Sequence, residues 1–277
     1  MSRPIYGDPV HDGAADPTVI HRAGTDEWWM CYNIGRADLG GEGFGMSHGS
    51  AIGTAVSRDG GLTWTYRGTV AGLDAPEHPG LNTHWAPEVI RAEGAYHMFL
   101  TYMPGASDSA AEADRRIVQF TSPDLESWTR VGELPRTSRN VIDAAVARCP
   151  DGLYRLWYKD EGKGSATYAL TSPDLRDWRL DGQIIPGAPD APPHEGPNIF
   201  ALGGWWWMIT DEWRGLAVYR SDDARAWQRQ GLILGEPGSH PDDRRFARHA
   251  DVVPQGDHAA LYYFTHPALA ETETPVP

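Results

Sequence analysis

Five short apolar segments recur along the chain, and each begins at or near an acidic residue. They are DPTVI with Asp16, APEVI with Glu88, IDAAV with Asp143, EGPNIF with Glu195 and HADVV with Asp251. The successive acidic residues lie 72, 55, 52 and 56 positions apart. A repeat of this length is typical of units that stack on one another or surround an axis, because one unit alone cannot bury its faces.

Further repeated segments follow each start. A second apolar and aromatic run occupies residues 27–33, 95–103, 153–159, 205–213 and 260–266. Four of these runs lead to a Ser-x-Asp turn that closes on Trp, at residues 57–64, 122–128, 172–178 and 221–227. Four short strands in each of five units predict an all-β fold, a five-bladed β-propeller with antiparallel blades around a central channel. We expect one domain over residues 1–277, with the five acidic groups converging on the axis.

The last predicted blade is short, so closure of the ring needs an explanation. Residues 1–10 are candidates for a strand that completes this blade, and residues 267–277 offer one more strand at most. Two alternatives are a blade that stays short and a blade completed by another molecule, which would be a homodimer contact.

Composition excludes some classes of partner. The net charge of −14 and the pI near 5.1 disfavour nucleic acid, because phosphate binding requires a basic face. The N-terminus MSRPIYGDPV has no apolar signal region, and no apolar stretch reaches about 18 residues. We therefore expect a cytoplasmic protein that does not contact a membrane. Cys31 and Cys149 both fall in predicted strands, and we expect free buried thiols.

Several residues near the predicted inner strands are candidate substrate contacts: His48, His84, Trp85, Glu88 and Arg248. His48 lies in the Gly-rich stretch 34–53, which is either a surface insertion or a loop over the axial pocket. Trp85 either lines the pocket mouth or covers the seam between the first two blades. For Glu88 and Asp251 we favour acceptance of backbone N–H groups around the channel. The Ser-x-Asp turns are interpreted as structural.

These motifs resemble glycoside hydrolase family 43, in the five-bladed clan that also holds family 32. The similarity lies in Asp16 before a proline, Asp143 after an isoleucine and Glu195 in Glu-Gly-Pro. The segment HWAPE, residues 84–88, is similar to the blade-two motif of family 43. Family 32 is less similar, because blade three lacks Arg-Asp-Pro and blade four lacks Glu-Cys.

The resemblance implies catalytic roles for three carboxyl groups. Asp16 would be the general base that activates water, and Glu195 the general acid. Asp143 would orient Glu195 and raise its pKa by like-charge repulsion. The family implies inversion, which requires roughly 6.5–9.5 Å between base and acid. Loops 34–53, 74–86 and 104–116 favour a closed pocket and exo-action on a short oligosaccharide carrying an arabinofuranoside, xyloside or galactoside.

The resemblance also implies an ion near His249, since family members carry a channel histidine that contacts a central cation or its waters. We expect Ca²⁺ or Na⁺ with oxygen ligands there as a structural ion, and no required cofactor. The alternative is a histidine hydrogen-bonded at the rim of the channel.

Two other functional classes are open. A glycoside phosphorylase of the related family 130 would need a basic cradle near the axis. The candidates for that cradle are Arg115, Arg116, Arg139, Arg244, Arg245 and Arg248. The other class is a non-catalytic sugar-binding propeller, or a propeller recruited to a different reaction.

Overall fold

The structure, a computed structural model, describes residues 4–11, 13–34, 48–106, 113–243 and 245–265. Its regular elements there are strands, apart from one-turn 3-10 helices at Glu161–Lys163 and Pro241–Asp243. Within these ranges, no helix is long and apolar enough to span a bilayer. Short runs rich in aromatic and β-branched residues explain the strands, several of which are buried along their whole length, as in Ile52–Ser57 and Tyr154–Asp160.

The strands form five antiparallel sheets. Blade one holds β1 (Ala15–His21), β2 (Trp28–Asn33), β3 (Ile52–Ser57) and β4 (Thr65–Thr69). Blade two holds β5 (Thr83–Ala92), β6 (Ala95–Met103), β7 (Arg116–Ser122) and β8 (Thr129–Glu133). Blade three holds β9 (Val141–Arg148), β10 (Tyr154–Asp160), β11 (Ala166–Ser172) and β12 (Arg179–Ile185). Blade four holds β13 (Glu195–Leu202), β14 (Trp205–Asp211), β15 (Leu216–Ser221) and β16 (Gln228–Ile233). Blade five holds β17 (Arg248–Gln255) and β18 (His258–Phe264).

The first strand of every sheet lies at the centre. Strands β1, β5, β9, β13 and β17 each pack against the next in order, and β17 packs against β1. The predicted five-bladed propeller is therefore confirmed. Four blades have four strands, and the fifth has two among the described residues.

The predicted closure by an N-terminal strand is wrong for residues 4–11, which form no strand. The Asp8 carboxylate accepts backbone N–H groups of Val10 and His11, which turns the chain locally. Asp8 also accepts a hydrogen bond from the Tyr32 hydroxyl at 2.8 Å, which ties the segment to blade one. The predicted strand at 267–277 lies outside the described residues.

Side chains on the inner strands connect neighbouring blades by accepting backbone N–H groups. The bonds are Val89 to Thr18 (3.3 Å), Val146 to Glu88 (3.0 Å), Val252 to Asn198 (3.1 Å) and Val19 to Asp251 (2.6 Å). The last of these bonds joins blade five to blade one. Glu88 and Asp251 thus accept backbone N–H groups, as the sequence predicted.

The Ser-x-Asp turns also match their prediction. In each, the serine hydroxyl donates to the aspartate two positions on, at 2.7–3.1 Å. The tryptophans that close the turns pack in the cores between blades, for example Trp128 beside Leu125. Cys31 and Cys149 are free and buried, as expected.

Candidate active site

Every inner strand carries a register shift near its start, where extra residues oppose the second strand. The first residue of the shift is Asp16, Ala86, Asp143, Gly196 or His249 in blades one to five. Four of these residues have a positive φ: 47° at Asp16, 44° at Ala86, 57° at Asp143 and 55° at Gly196. Bulges of this kind re-aim side chains, here at one end of the axis.

The bulges show that the five repeated acidic residues are not equivalent. Asp16 and Asp143 occupy the first bulge position, and Glu195 precedes it by one residue. Glu88 and Asp251 lie two residues beyond that position, among the bonds that join the blades. The repeated acidic residues therefore occupy different positions along the inner strands, although their spacing in the sequence made them look alike.

Asp16 is held by two N–H donors. Asn33 Nδ2 donates to one carboxylate oxygen at 2.5 Å, and His249 Nδ1 lies 3.1 Å from the other. Asn33 also accepts the backbone N–H of Ala86 at 2.8 Å, which fixes its amide. Burial lowers the pKa of His249, but the Asp16 hydrogen bond and the surrounding carboxylates outweigh burial and raise it to about 10. A protonated His249 therefore places a positive charge beside the Asp16 carboxyl group.

Asp143 is joined to blade four through Gly196. The Gly196 N–H donates to Asp143 Oδ2 at 3.1 Å, and the Asp143 N–H donates to the Thr101 hydroxyl at 3.0 Å. A β-carbon on Gly196 would lie 2.6 Å from carbons of the His249 ring, so this position requires glycine. Burial, and then Glu195 and Asp16, raise the pKa of Asp143 to about 7, against the opposing charge of His249.

Glu195 lies among cations. Lys159 Nζ donates to Glu195 Oε2 at 3.0 Å, and the indole N–H of Trp213 donates to Oε1 at 2.9 Å. Arg248 lies 3.6 Å from Oε1. Burial raises the pKa of Glu195, but Lys159 and Arg248 outweigh burial and hold it at about 2. The expected rise of this pKa is therefore wrong, because the sequence analysis omitted Lys159 and did not pair Arg248 with Glu195.

Arg248 bridges Glu195 to a buried carboxyl group. Its Nε donates to Asp211 Oδ2 at 2.8 Å, and Asp211 also accepts the N–H of His249 and of Trp213. Burial raises the pKa of Asp211 to about 6, and Arg248 opposes that rise. The pair fixes the start of β17, which positions both Arg248 and His249.

A second group of side chains extends from Lys159 towards blade two. Glu161 accepts hydrogen bonds from Lys159, at 3.4 Å, and from Arg115. The Arg115 guanidinium lies 5.2 Å from the centre of the Trp85 ring, on which His48 also stacks at 5.3 Å. Trp85 and His48, two predicted substrate contacts, therefore meet each other and connect to Glu195 through Arg115, Glu161 and Lys159.

His84 has a different environment from Trp85. Its Nδ1 lies 3.2 Å from the Ser50 carbonyl oxygen, its Nε2 lies 3.5 Å from Asp74, and its ring contacts Tyr102 edge-on. Burial lowers the pKa of His84. These contacts attach the segment before β5 to neighbouring loops. Most of the loop 34–53 and part of 104–116 lie outside the described residues.

Four residues of the site were not singled out from the sequence: Asn33, Lys159, Asp211 and Trp213. All lie in or just after the second strand of a blade, which the pattern interprets as packing. One signal was available for Lys159, because the chain contains 24 basic residues of which only Lys159 and Lys163 are lysines.

The described residues contain no group of three or more His, Cys, Asp or Glu side chains arranged to hold a metal. His249, the predicted ion contact, directs Nδ1 at Asp16 and packs its ring on Gly196. The cation near His249, expected with oxygen ligands and waters, stays a prediction, and no chemical step is assigned to it.

Four of the six arginines considered for a phosphate cradle have carboxylate partners. Arg115 contacts Glu161, Arg116 contacts Asp114 and Glu133, and Arg248 contacts Asp211. Arg139 lies 3.6 Å from Asp114 and is largely exposed. Arg244 lies outside the described residues. Binding of phosphate would compete with these ion pairs.

The propeller with carboxyl groups at one end of its axis defines a class of sugar-processing enzymes, and comparison with known proteins identifies the family. Residues 46–214 match the model of glycosyl hydrolases family 43. The match covers more than half of the chain, which therefore belongs to this family of glycoside hydrolases. No curated protein sequence matches the chain.

Solved structures share the fold at low sequence identity. A family 43 β-1,3-galactosidase with galactodeoxynojirimycin is 14% identical, with a TM-score of 0.69, over 95% of this chain and 88% of that one. A family 43 β-xylosidase/α-arabinofuranosidase from a compost microbial metagenome, in a calcium-free form with xylotriose, is also 14% identical, with a TM-score of 0.69 over 95% and 87%. An arabinanase from Bacillus subtilis is 15% identical, with a TM-score of 0.64 over 87% and 85%.

Proposed function

We propose that this chain is an exo-acting, inverting glycosidase that removes a terminal sugar from short oligosaccharides or glycosides. Asp16 acts as general base and Glu195 as general acid, and Asp143 positions Glu195. The observation that carries this proposal is that Gly196 and His249, at the starts of the inner strands of blades four and five, connect the three carboxyl groups. Gly196 bonds to Asp143 and contacts His249, which in turn pairs with Asp16.

The surroundings of Asp16 support a role as base. A base that activates water must be held in a fixed position, and the N–H groups of Asn33 and His249 hold the Asp16 carboxyl group from both oxygens. Its side chain is 20% exposed, so a water molecule can reach it. In an inverting reaction this water attacks the anomeric carbon as Asp16 takes its proton.

Glu195 has the reach and exposure of a proton donor, since its side chain is also 20% exposed. Asp143 supports it from a buried position one blade away, through the N–H of the residue that follows Glu195. The proton passes from Glu195 to the glycosidic oxygen as the bond to the anomeric carbon breaks. The low pKa of Glu195 requires a change in its ion pairs before this step.

The substrate class is proposed from the fold neighbours, which act on galactosides, xylosides and arabinosides by their names. Arg248, which lies 3.6 Å from Glu195, supports a contact with the sugar there. Trp85 is proposed as a second contact, because the Arg115 that lies over its ring is connected to Glu195 through Glu161 and Lys159. We expect short substrates in the cytoplasm, and a homodimer is one way to cover the edge of blade five.

A panel of chromogenic furanosides and pyranosides, assayed with and without inorganic phosphate, tests this proposal. We expect turnover that does not depend on phosphate and that Asp16→Asn reduces by at least 10³-fold. Asp222→Asn, in an exposed turn of blade four, serves as the matched control and should retain wild-type activity. Turnover that requires phosphate would assign the chain to the phosphorylases, and full activity of Asp16→Asn would exclude Asp16 as the base.

A further inference from the structure

Lys159 is unusual in this chain because it is a buried lysine in a protein whose basic residues are nearly all arginine. The other lysine, Lys163, lies four residues away and is exposed. Lys159 is 3% exposed at the end of β10. A buried ammonium group is costly unless it is paired, so its partners indicate why it is there.

Lys159 lies between two carboxylates. Its Nζ is 3.0 Å from Glu195 Oε2 and 3.4 Å from Glu161 Oε1, and it lies 4.8 Å from the centre of the Trp213 ring. Trp213 donates its indole N–H to the second oxygen of Glu195. Both oxygens of Glu195 therefore face N–H donors, an arrangement that stabilises the carboxylate and opposes its protonation.

Glu161 connects this pair to the pocket wall. It accepts a hydrogen bond from Arg115, whose guanidinium lies over Trp85. A sugar that displaced Arg115 would alter the hydrogen bond that Glu161 accepts from it. Because Glu161 and Glu195 share one ammonium group, a stronger contact of Lys159 with Glu161 weakens its contact with Glu195.

We propose that Lys159 is a positioning residue that moves between Glu195 and Glu161, so that Glu195 becomes a proton donor only when Glu161 draws the ammonium group away. This inference rests on the proposed function, since it assumes that Glu195 is the acid. It adds a device that links sugar contact at Trp85 to the protonation of Glu195. It also reconciles the cationic surroundings of Glu195 with acid catalysis.

Other titratable groups face Glu195 from the elements packed around it. They are Asp143 on β9, His194 before β13, Asp211 on β14, and Arg248 and His249 on β17. Arg248, like Lys159, has a second carboxylate within 4 Å, but that partner, Asp211, is fully buried and accepts two backbone N–H groups. The second partner of Lys159, Glu161, is part-exposed and accepts a hydrogen bond from Arg115, so we assign the adjustable contact to Lys159.

The pH dependence of kcat/KM tests the proposal. The alkaline limb reports loss of the proton from the acid. Lys159→Met removes the cation beside Glu195, and we expect the apparent pKa of this limb to rise by at least one pH unit. Glu161→Gln leaves the ammonium group to Glu195 alone, and we expect the limb to move down. Lys163→Met removes the neighbouring exposed charge and should leave the limb unchanged.

Opposite shifts in the two variants support the proposal, and a role in folding alone would not produce them. Unchanged limbs, or shifts in the same direction, overturn it. Lys159→Arg retains the charge and should keep the apparent pKa of the limb within about half a pH unit of wild type. This variant provides a second measurement if Lys159→Met does not fold. If Glu195→Gln is fully active, the proposed function fails instead, so the two failures are distinguishable.

A spectroscopic measurement tests the contact directly. The chain has two lysines, so a ¹⁵N-lysine spectrum of the full protein contains two side-chain signals, and Lys163→Met assigns them. Glu195→Gln and Glu161→Gln should each shift the Lys159 signal and leave that of Lys163 in place. A Lys159 signal that responds to one carboxylate only would overturn the shared contact.

Discussion

Gly196 is the residue at which the catalytic carboxyl groups of this propeller are joined, and its replacement by alanine has a calculable effect. Its φ of 55° lies in the left-handed region, which costs an ordinary residue about 1–2 kcal/mol. The new β-carbon would lie 2.6 Å from the His249 ring, where ordinary contact begins near 3.4 Å. The ring must therefore move by roughly 1 Å, which lengthens its 3.1 Å contact with Asp16.

The two effects add. Loss of a charged hydrogen bond costs about 1.5–3 kcal/mol, so Gly196→Ala should lower the free energy of unfolding by about 2.5–5 kcal/mol. Misplacement of His249 and Asp16 by about 1 Å should lower kcat by about 10²-fold. Chemical denaturation and steady-state kinetics measure the two quantities.

Gly203→Ala is the matched control. Gly203 has a φ of 62° in the turn between β13 and β14, and a β-carbon there meets no atom within 4 Å. It should cost only the backbone contribution of about 1–2 kcal/mol and leave kcat unchanged. Equal stability losses in the two variants, with full activity in Gly196→Ala, would refute the role assigned to the Gly196–His249 contact.

Two further predictions concern stability. The folded-state pKa of His249 is raised from 6.5 to about 10, so its stabilisation is full below about pH 6.5 and is lost as the pH rises towards 10. Denaturation of wild type and His249→Gln should differ by on the order of 4 kcal/mol at pH 6 and by much less near pH 10; a constant difference would contradict the ion pair with Asp16. Asp251→Ala leaves the Val19 N–H and the Asn198 amide without their acceptor, and should cost about 1–3 kcal/mol in thermal denaturation. A variant as stable as wild type would show that this junction between the last and first blades contributes nothing.

The repeat was enough to predict the blades, because apolar runs and Ser-x-Asp turns are local features. The register of the inner strands was not predictable in the same way. A bulge places two residues opposite one, so a constant spacing in sequence does not give a constant position on the axis. Glu195 and Glu88 appeared equivalent in sequence, yet they lie on opposite sides of the bulge.

Asp143 was predictable as a site residue, because a carboxyl group in an apolar run costs free energy unless it has a polar partner or a function. Partners of the site that come from other strands were not predictable. Lys159 and Trp213 lie in segments whose aromatic character indicates packing, and only the fold brings them to Glu195. The sign of the Glu195 pKa shift depends on Lys159 and Arg248, so the sequence reasoning predicted the wrong direction.

Two aryl glycosides of one sugar test most directly whether Asp16 is the base and Glu195 the acid. One glycoside has a good leaving group and the other a poor leaving group. A good leaving group departs without a proton, whereas every substrate needs activated water. We predict that Glu195→Gln retains substantial turnover of the activated glycoside and loses the other, and that Asp16→Asn loses both. An active Asp16→Asn enzyme, or equal losses on both substrates in Glu195→Gln, would contradict the assignment of base and acid.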